Sequence, residues 1–72
     1  MAVEWIEVES SNIAAIAYVS ETRGMLVQFT NDSVYSYSDV PVEVFEDFKA
    51  ADSKGKSFNE HIKGIYDYRK VS

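Results

Sequence analysis

Met25-Leu26-Val27-Gln28-Phe29-Thr30-Asn31-Asp32-Ser33-Val34-Tyr35-Ser36-Tyr37-Ser38 is the stretch that decides the fold. Two runs rich in β-branched and aromatic residues, Met25 to Thr30 and Ser33 to Ser38, flank Asn31 and Asp32. Those two residues tolerate the positive φ of a tight type I′ hairpin turn. A two-residue turn pairs Thr30 with Ser33, Gln28 with Tyr35 and Leu26 with Tyr37, which puts six side chains on one face. Met25, Val27, Phe29 and Val34 form the other, more apolar face, which is expected to receive the helices. A slip of one residue inverts this assignment, because side chains alternate with period two.

Upstream of the hairpin, Ile13 to Val19 is a seven-residue apolar run between polar loops, read as a strand joined to the hairpin through Ser20 to Gly24. Continuing the register places Ala15, Ala17 and Val19 on the core face. Ile16 and Tyr18 then join Tyr35 and Tyr37, giving a half-polar face with Gln28 and Thr30 that is partly open to water. A short first strand over Trp5 to Val8 precedes a Ser10-Ser11-Asn12 turn. Downstream, Pro41 suits a first helical turn, and Val44, Phe45, Phe48 and Ala51 recur at spacings of three and four, predicting a helix from Pro41 to Ala51. Ser53 caps a second helix whose apolar positions are Phe58, Ile62 and Tyr66, with Gly64 as its stop. Ser57 with Glu60 is the alternative start, as a capping box. The expected fold class is α+β: a small antiparallel β-meander of three to four strands followed by two α-helices packed on one face of the sheet, in a single domain over residues 1–72.

The chain has 72 residues, 46% hydrophobic, with ten aromatics and no cysteine. At this size the core is small, and the aromatics must supply much of it. Without cysteine there is no disulfide framework, thiolate metal site or thiol nucleophile. No apolar run approaches the roughly 20 residues that span a bilayer, so the expectation is a cytoplasmic protein without membrane contact, monomeric by default. The net charge of −5 argues as a sum against a polyanion partner. Its distribution is uneven: residues 1–48 carry nine carboxylates against Arg23, and residues 49–72 carry six cations against Asp52, Glu60 and Asp67. A basic second helix and tail could therefore meet a polyanion on one side.

The inventory is poor in catalytic groups. His61 is the only histidine and stands in a predicted helix, so serines and tyrosines lack a polarising base, and no metal-ligand spacing occurs. Gly24, Gly55 and Gly64 are isolated, so no glycine-rich phosphate loop is present. Lys54-Gly55-Lys56 opens a helix, where free N–H groups and lysines together could hold one phosphate. Tyr35 and Tyr37 point the same way on one strand, as do the aromatics on which single-stranded bases stack in several RNA-binding folds. Tyr66 and Tyr68, followed by Arg69 and Lys70, repeat an aromatic-basic pattern that can dock the tail on the sheet.

Ser10-Ser11-Asn12-Ile13, then Tyr18, then Tyr35-Ser36-Tyr37 leading into Val40-Pro41, then Ser53-Lys54-Gly55-Lys56 with Phe58-Asn59 and Ile62, resemble the KTSC domain. That family occurs at the C-terminus of some lysyl-tRNA synthetases and as small stand-alone bacterial proteins. The resemblance runs from about Ile6 to Tyr68, and its marks fall on Tyr35, Tyr37, Ser53, Gly55, Phe58 and Asn59. It implies a link to RNA, with tRNA the first candidate. The expected function is a non-enzymatic binding module, with no cofactor and no metal. In it Tyr35 and Tyr37 stack on bases, with Tyr18 on the same binding face, and Lys54, Lys56 and Lys63 meet phosphates, with Gly55 and Asn59 beside them. The alternative is a protein-interaction or self-association module using the same tyrosine face.

Overall fold

A computed structural model of the chain describes residues 4–71. Four strands run in sequence, β1 (Ile6–Glu7), β2 (Ile13–Val19), β3 (Gly24–Phe29) and β4 (Val34–Tyr37), then helices α1 (Val42–Ala50) and α2 (Lys54–His61), then β5 (Tyr68–Lys70). The strands form one antiparallel sheet in the order β1-β2-β3-β4-β5. The expected class holds, and β5 adds a fifth strand beyond the three to four predicted. The aromatic-basic tail supplies it, so the two helices lie between neighbouring strands.

The hairpin closes one residue wider than predicted. Asp32 N–H donates to the Phe29 carbonyl at 3.0 Å and Phe29 N–H to the Ser33 carbonyl at 2.8 Å, so Thr30, Asn31 and Asp32 form a three-residue loop. Asp32 takes the left-handed position at φ 70°, and Asn31 Oδ1 accepts from Ser33 N–H at 3.1 Å. The pairs are therefore Met25 with Tyr37, Leu26 with Ser36, Val27 with Tyr35 and Gln28 with Val34. This is the one-residue slip, and it corrects the predicted faces. Tyr35 and Tyr37 join Met25 and Val27, while Val34 moves to the opposite face with Gln28.

On β2, Ile16 pairs with Val27 and Tyr18 with Met25, so these two share the helix-covered face. Ala15 and Ala17, expected there, oppose Gln28 and Leu26 on the other side. A bulge at Ala14 shifts the register between Ile13 and Ala15, which brings Ile13 opposite Phe29. The core lies between this face and the helices: Ile13, Ile16, Met25, Val27 and Tyr37 meet Phe45 and Phe48 of α1, with Phe58 and Ile62 from α2 and its end.

Pro41 stands at the N-cap of α1, and Ser53 Oγ caps α2 by accepting from Lys56 N–H at 3.3 Å. That settles the start of α2 in favour of Ser53 over Ser57. The helix ends earlier than the Tyr66 spacing predicts, because the amides of Ile62 and Lys63 both donate to the Phe58 carbonyl, at 3.0 and 2.8 Å. Gly64, at φ 80°, then turns the chain toward β5. Among the described residues no helix is long and apolar enough to cross a membrane.

Candidate functional site

The expected open tyrosine platform does not exist. Tyr37 is buried to 4% exposure and packs edge-on against Phe58, 5.6 Å between ring centres. Tyr18 lies elsewhere in the core region, stacked on Phe45 at 5.1 Å with its hydroxyl donating to the Val40 carbonyl at 2.6 Å. Its polar end is satisfied by the chain that leads into α1, so Tyr18 is separated from the other two tyrosines in role as well as place. The cause is the slipped hairpin, which turned the tyrosine row toward the helices.

The helices do not cover that row completely. Beyond the end of α2 an open groove of about 510 Å³ remains, with Phe29, Tyr35, Tyr37, Phe58 and Tyr68 as its aromatic lining. Tyr68 comes from β5, where it opposes Tyr37, and its ring lies 5.8 Å from both Tyr35 and Tyr37. Tyr35 meets Phe29 edge-on at 5.6 Å, so the rings brace one another. Tyr35 and Phe29 are half-buried and Tyr68 is 63% exposed, so these are the rings a ligand can reach. Tyr37 forms the floor. Burial first, then the neighbouring Tyr68 and Tyr35, pushes its phenol up to about 12, so it remains a neutral hydroxyl at physiological pH.

The polar part of the lining is Asn12, Asn31, Ser33 and Lys63, with no carboxylate among the described residues. Asn12 and Asn31 are brought to one end of the groove by a backbone bond from Thr30 N–H to the Asn12 carbonyl, 3.1 Å. Lys70 opposes Tyr35 across the β4–β5 ladder, which puts a second cation on the same face. In a chain of net charge −5, a cationic aromatic groove free of carboxylates is a local reversal.

Asn12 also borders a second, more open cleft at the start of α2, where Lys54, Gly55, Lys56 and Asn59 lie. Gly55 lies close to Asn12, since a Cβ there would stand 3.0 Å from Asn12 Oδ1 and the Asn12 side chain would have to give by a few tenths of an ångström. The lysines are less available than expected. Lys54 Nζ donates to the Ala51 carbonyl, tying α2 to the end of α1, and Lys56 faces Glu60 at 3.9 Å. Glu9, Asp52 and Glu60 line the same cleft, so its charge does not favour phosphate.

The eight residues singled out in the sequence thus divide three ways. Tyr35, Tyr37 and Lys63 line the groove; Lys54, Gly55, Lys56 and Asn59 line the neighbouring cleft; Tyr18 belongs to neither. Sequence reasoning left out Phe29, Phe58 and Tyr68 as groove walls and the two asparagines as its polar end. The aromatic-basic run at Tyr68 was the available signal for the wall. His61 is exposed on α2 and lies outside the groove lining. Among the described residues no group of three or more histidine, cysteine or acidic side chains could hold a metal.

Comparison with known proteins places this geometry in a wider set. The family model of the KTSC domain matches residues 9–71. A lysine–tRNA ligase of Nostoc punctiforme is 39% identical over 64 residues, 89% of this chain and 11% of the ligase. The chain thus spans about a ninth of the length of that relative. A protein of Tsukamurella paurometabola is 41% identical over 56 residues, 78% of this chain and 84% of its own. The crystal structure of a KTSC domain protein from Yersinia pestis superimposes with a TM-score of 0.94 at 35% identity, covering 99% of this chain and 100% of the other.

Proposed function

The chain belongs to the KTSC domain family, and on that premise we propose that it is a non-enzymatic module that binds single-stranded RNA in the groove beside α2, with tRNA the first candidate. The observation that carries the reading is the lining itself: five aromatic rings, one lysine and no carboxylate in an otherwise acidic chain. Exposed rings offer π-faces to unpaired bases, and cations beside them meet the backbone. Tyr35 and Tyr68 are the stacking surfaces, Tyr37 and Phe58 hold them in place, and Lys63 and Lys70 meet phosphates. The ligases to which the chain is similar have tRNA as a substrate by name, which supports trying tRNA first.

Amide-shift titration with bulk tRNA and with short single strands at about 0.05 M salt tests the reading. The expected result is movement confined to Phe29, Asn31, Tyr35, Lys63 and Tyr68. An unmoved groove with both ligands rejects it.

A protein partner or a second copy of the chain is the other reading, and one observation favours it. Ile65, Tyr68 and Val71 are exposed within seven residues, Ile65 to 60%. A size-exclusion series separates the two: apparent mass rising with concentration, and returning to the monomer value in Ile65→Ser, supports association.

A further inference from the structure

The groove's side-chain groups of fixed hydrogen-bonding sense are all donors, and this sets which bases it should accept. Ser33 N–H occupies Asn31 Oδ1 at 3.1 Å, which leaves the Asn31 Nδ2 amide to face outward as a donor. Asn12 is oriented in the same sense by Ser10. The Ser10 hydroxyl oxygen accepts from the backbone amides of Asn12 and Ile13, both at 3.4 Å, so its own proton goes to Asn12 Oδ1 at 3.0 Å. Asn12 Nδ2 is then the free end. Lys63 contributes an ammonium, which only donates, and among the described residues no carboxylate lines the groove to accept. The hydroxyls of Ser33 and the tyrosines serve either sense and discriminate nothing.

We infer that the groove selects keto bases, uracil and guanine, over the amino bases cytosine and adenine. The inference rests on the RNA reading and adds its specificity. A ring stacked on Tyr35 or Tyr68 would turn an edge toward the asparagine end, where two amide donors meet it. Uracil O4 and guanine O6 with N7 offer acceptors there. Turned by that same edge, the exocyclic amines of cytosine and adenine point a donor at a donor, so these bases find an acceptor for the asparagines only by presenting another edge.

The test compares fluorescein-labelled U6, (UG)3, C6 and A6 by polarisation at one salt concentration. The expected result is that U6 and (UG)3 bind on the order of five- to tenfold more tightly than C6 and A6. Asn31→Asp keeps an oxygen for Ser33 N–H while replacing the outward donor with an acceptor, and Asn12→Asp does the same toward Ser10. The added charge weakens all four strands alike, so the keto-to-amino ratio is the readout, and it should fall toward one in each variant. Equal affinity of the wild type for the four strands overturns the inference while leaving the RNA reading standing. A wild-type preference unchanged in both aspartate variants also overturns it, because the asparagines then do not set it. Absence of binding to every strand rejects the RNA reading itself.

Discussion

Tyr37 shows how one side chain serves the fold and the groove together. Its ring is almost fully enclosed between Phe58, Met25 and Tyr68, and its hydroxyl has no hydrogen-bond partner among the described residues. No side-chain oxygen there is both sealed from solvent and unpaired, so the hydroxyl opens into the groove. Tyr37→Ala should cost about 3 to 5 kcal/mol in denaturant unfolding, as for a large aromatic removed from a core. Tyr37→Phe should lose less than about 1 kcal/mol, because no intramolecular bond goes with the hydroxyl. With the phenol at about 12 when folded and at the ordinary 10 when unfolded, the unfolded chain gives up its proton first. The contribution of this phenol to stability is therefore constant below pH 10 and falls between pH 10 and 12, by no more than roughly 3 kcal/mol. Absorbance titration of the phenolates against unfolding midpoints at the same pH checks the sign. At the rim, Tyr68→Ala should retain the fold, since the ring is mostly exposed, yet lose on the order of 1 to 3 kcal/mol of RNA affinity.

At the scale of elements, the hairpin loop controls where the tyrosines go. Asp32 holds φ 70°, a conformation that costs an L-residue more than a glycine, so Asp32→Gly should raise stability by about 0.5 to 1 kcal/mol. Deleting Thr30 leaves Asn31-Asp32 as a two-residue loop between Phe29 and Ser33, so the observed pairing and faces are kept and circular dichroism should still show a cooperative transition. Strand and helix positions were legible in the sequence because each depends on local pattern: Ile13–Val19 matches β2 end to end, and Pro41 and Ser53 stand at the starts of the helices. The faces were not legible. Asn31-Asp32 suits a two-residue turn, yet Asp32 also suits the last position of a three-residue loop, and only packing against α2 distinguishes the two.

For the whole molecule, β5 joins fold and site. It covers the β4 edge, brings Tyr68 over Tyr37, and receives Ser38 N–H at the Asp67 carbonyl, 2.9 Å. Charge is organised at this scale as well. Lys63 lines the groove and Lys70 stands on the same sheet face, against an acidic remainder, so binding should be weakly salt-dependent for a nucleic-acid protein. Two phosphate contacts predict a log–log slope of about −1.4 for a single strand, a loss of about sevenfold between 0.05 and 0.2 M salt. A slope steeper than about −4 would mean that more cations take part than the groove holds. The sequence by itself determined the α+β class, the order of the first four strands and two helices, the family motifs and the poverty of catalytic groups, since these follow from local periodicity and residue inventory, whereas β5 was not read from it. The tertiary structure alone decided that Tyr35 and Tyr37 face the helices, that Tyr18 stands apart, and that Tyr68 closes a groove with Asn12 and Asn31. Strand side chains alternate with period two, so a single loop residue, selected by contacts from distant parts of the chain, exchanges the two faces of the sheet.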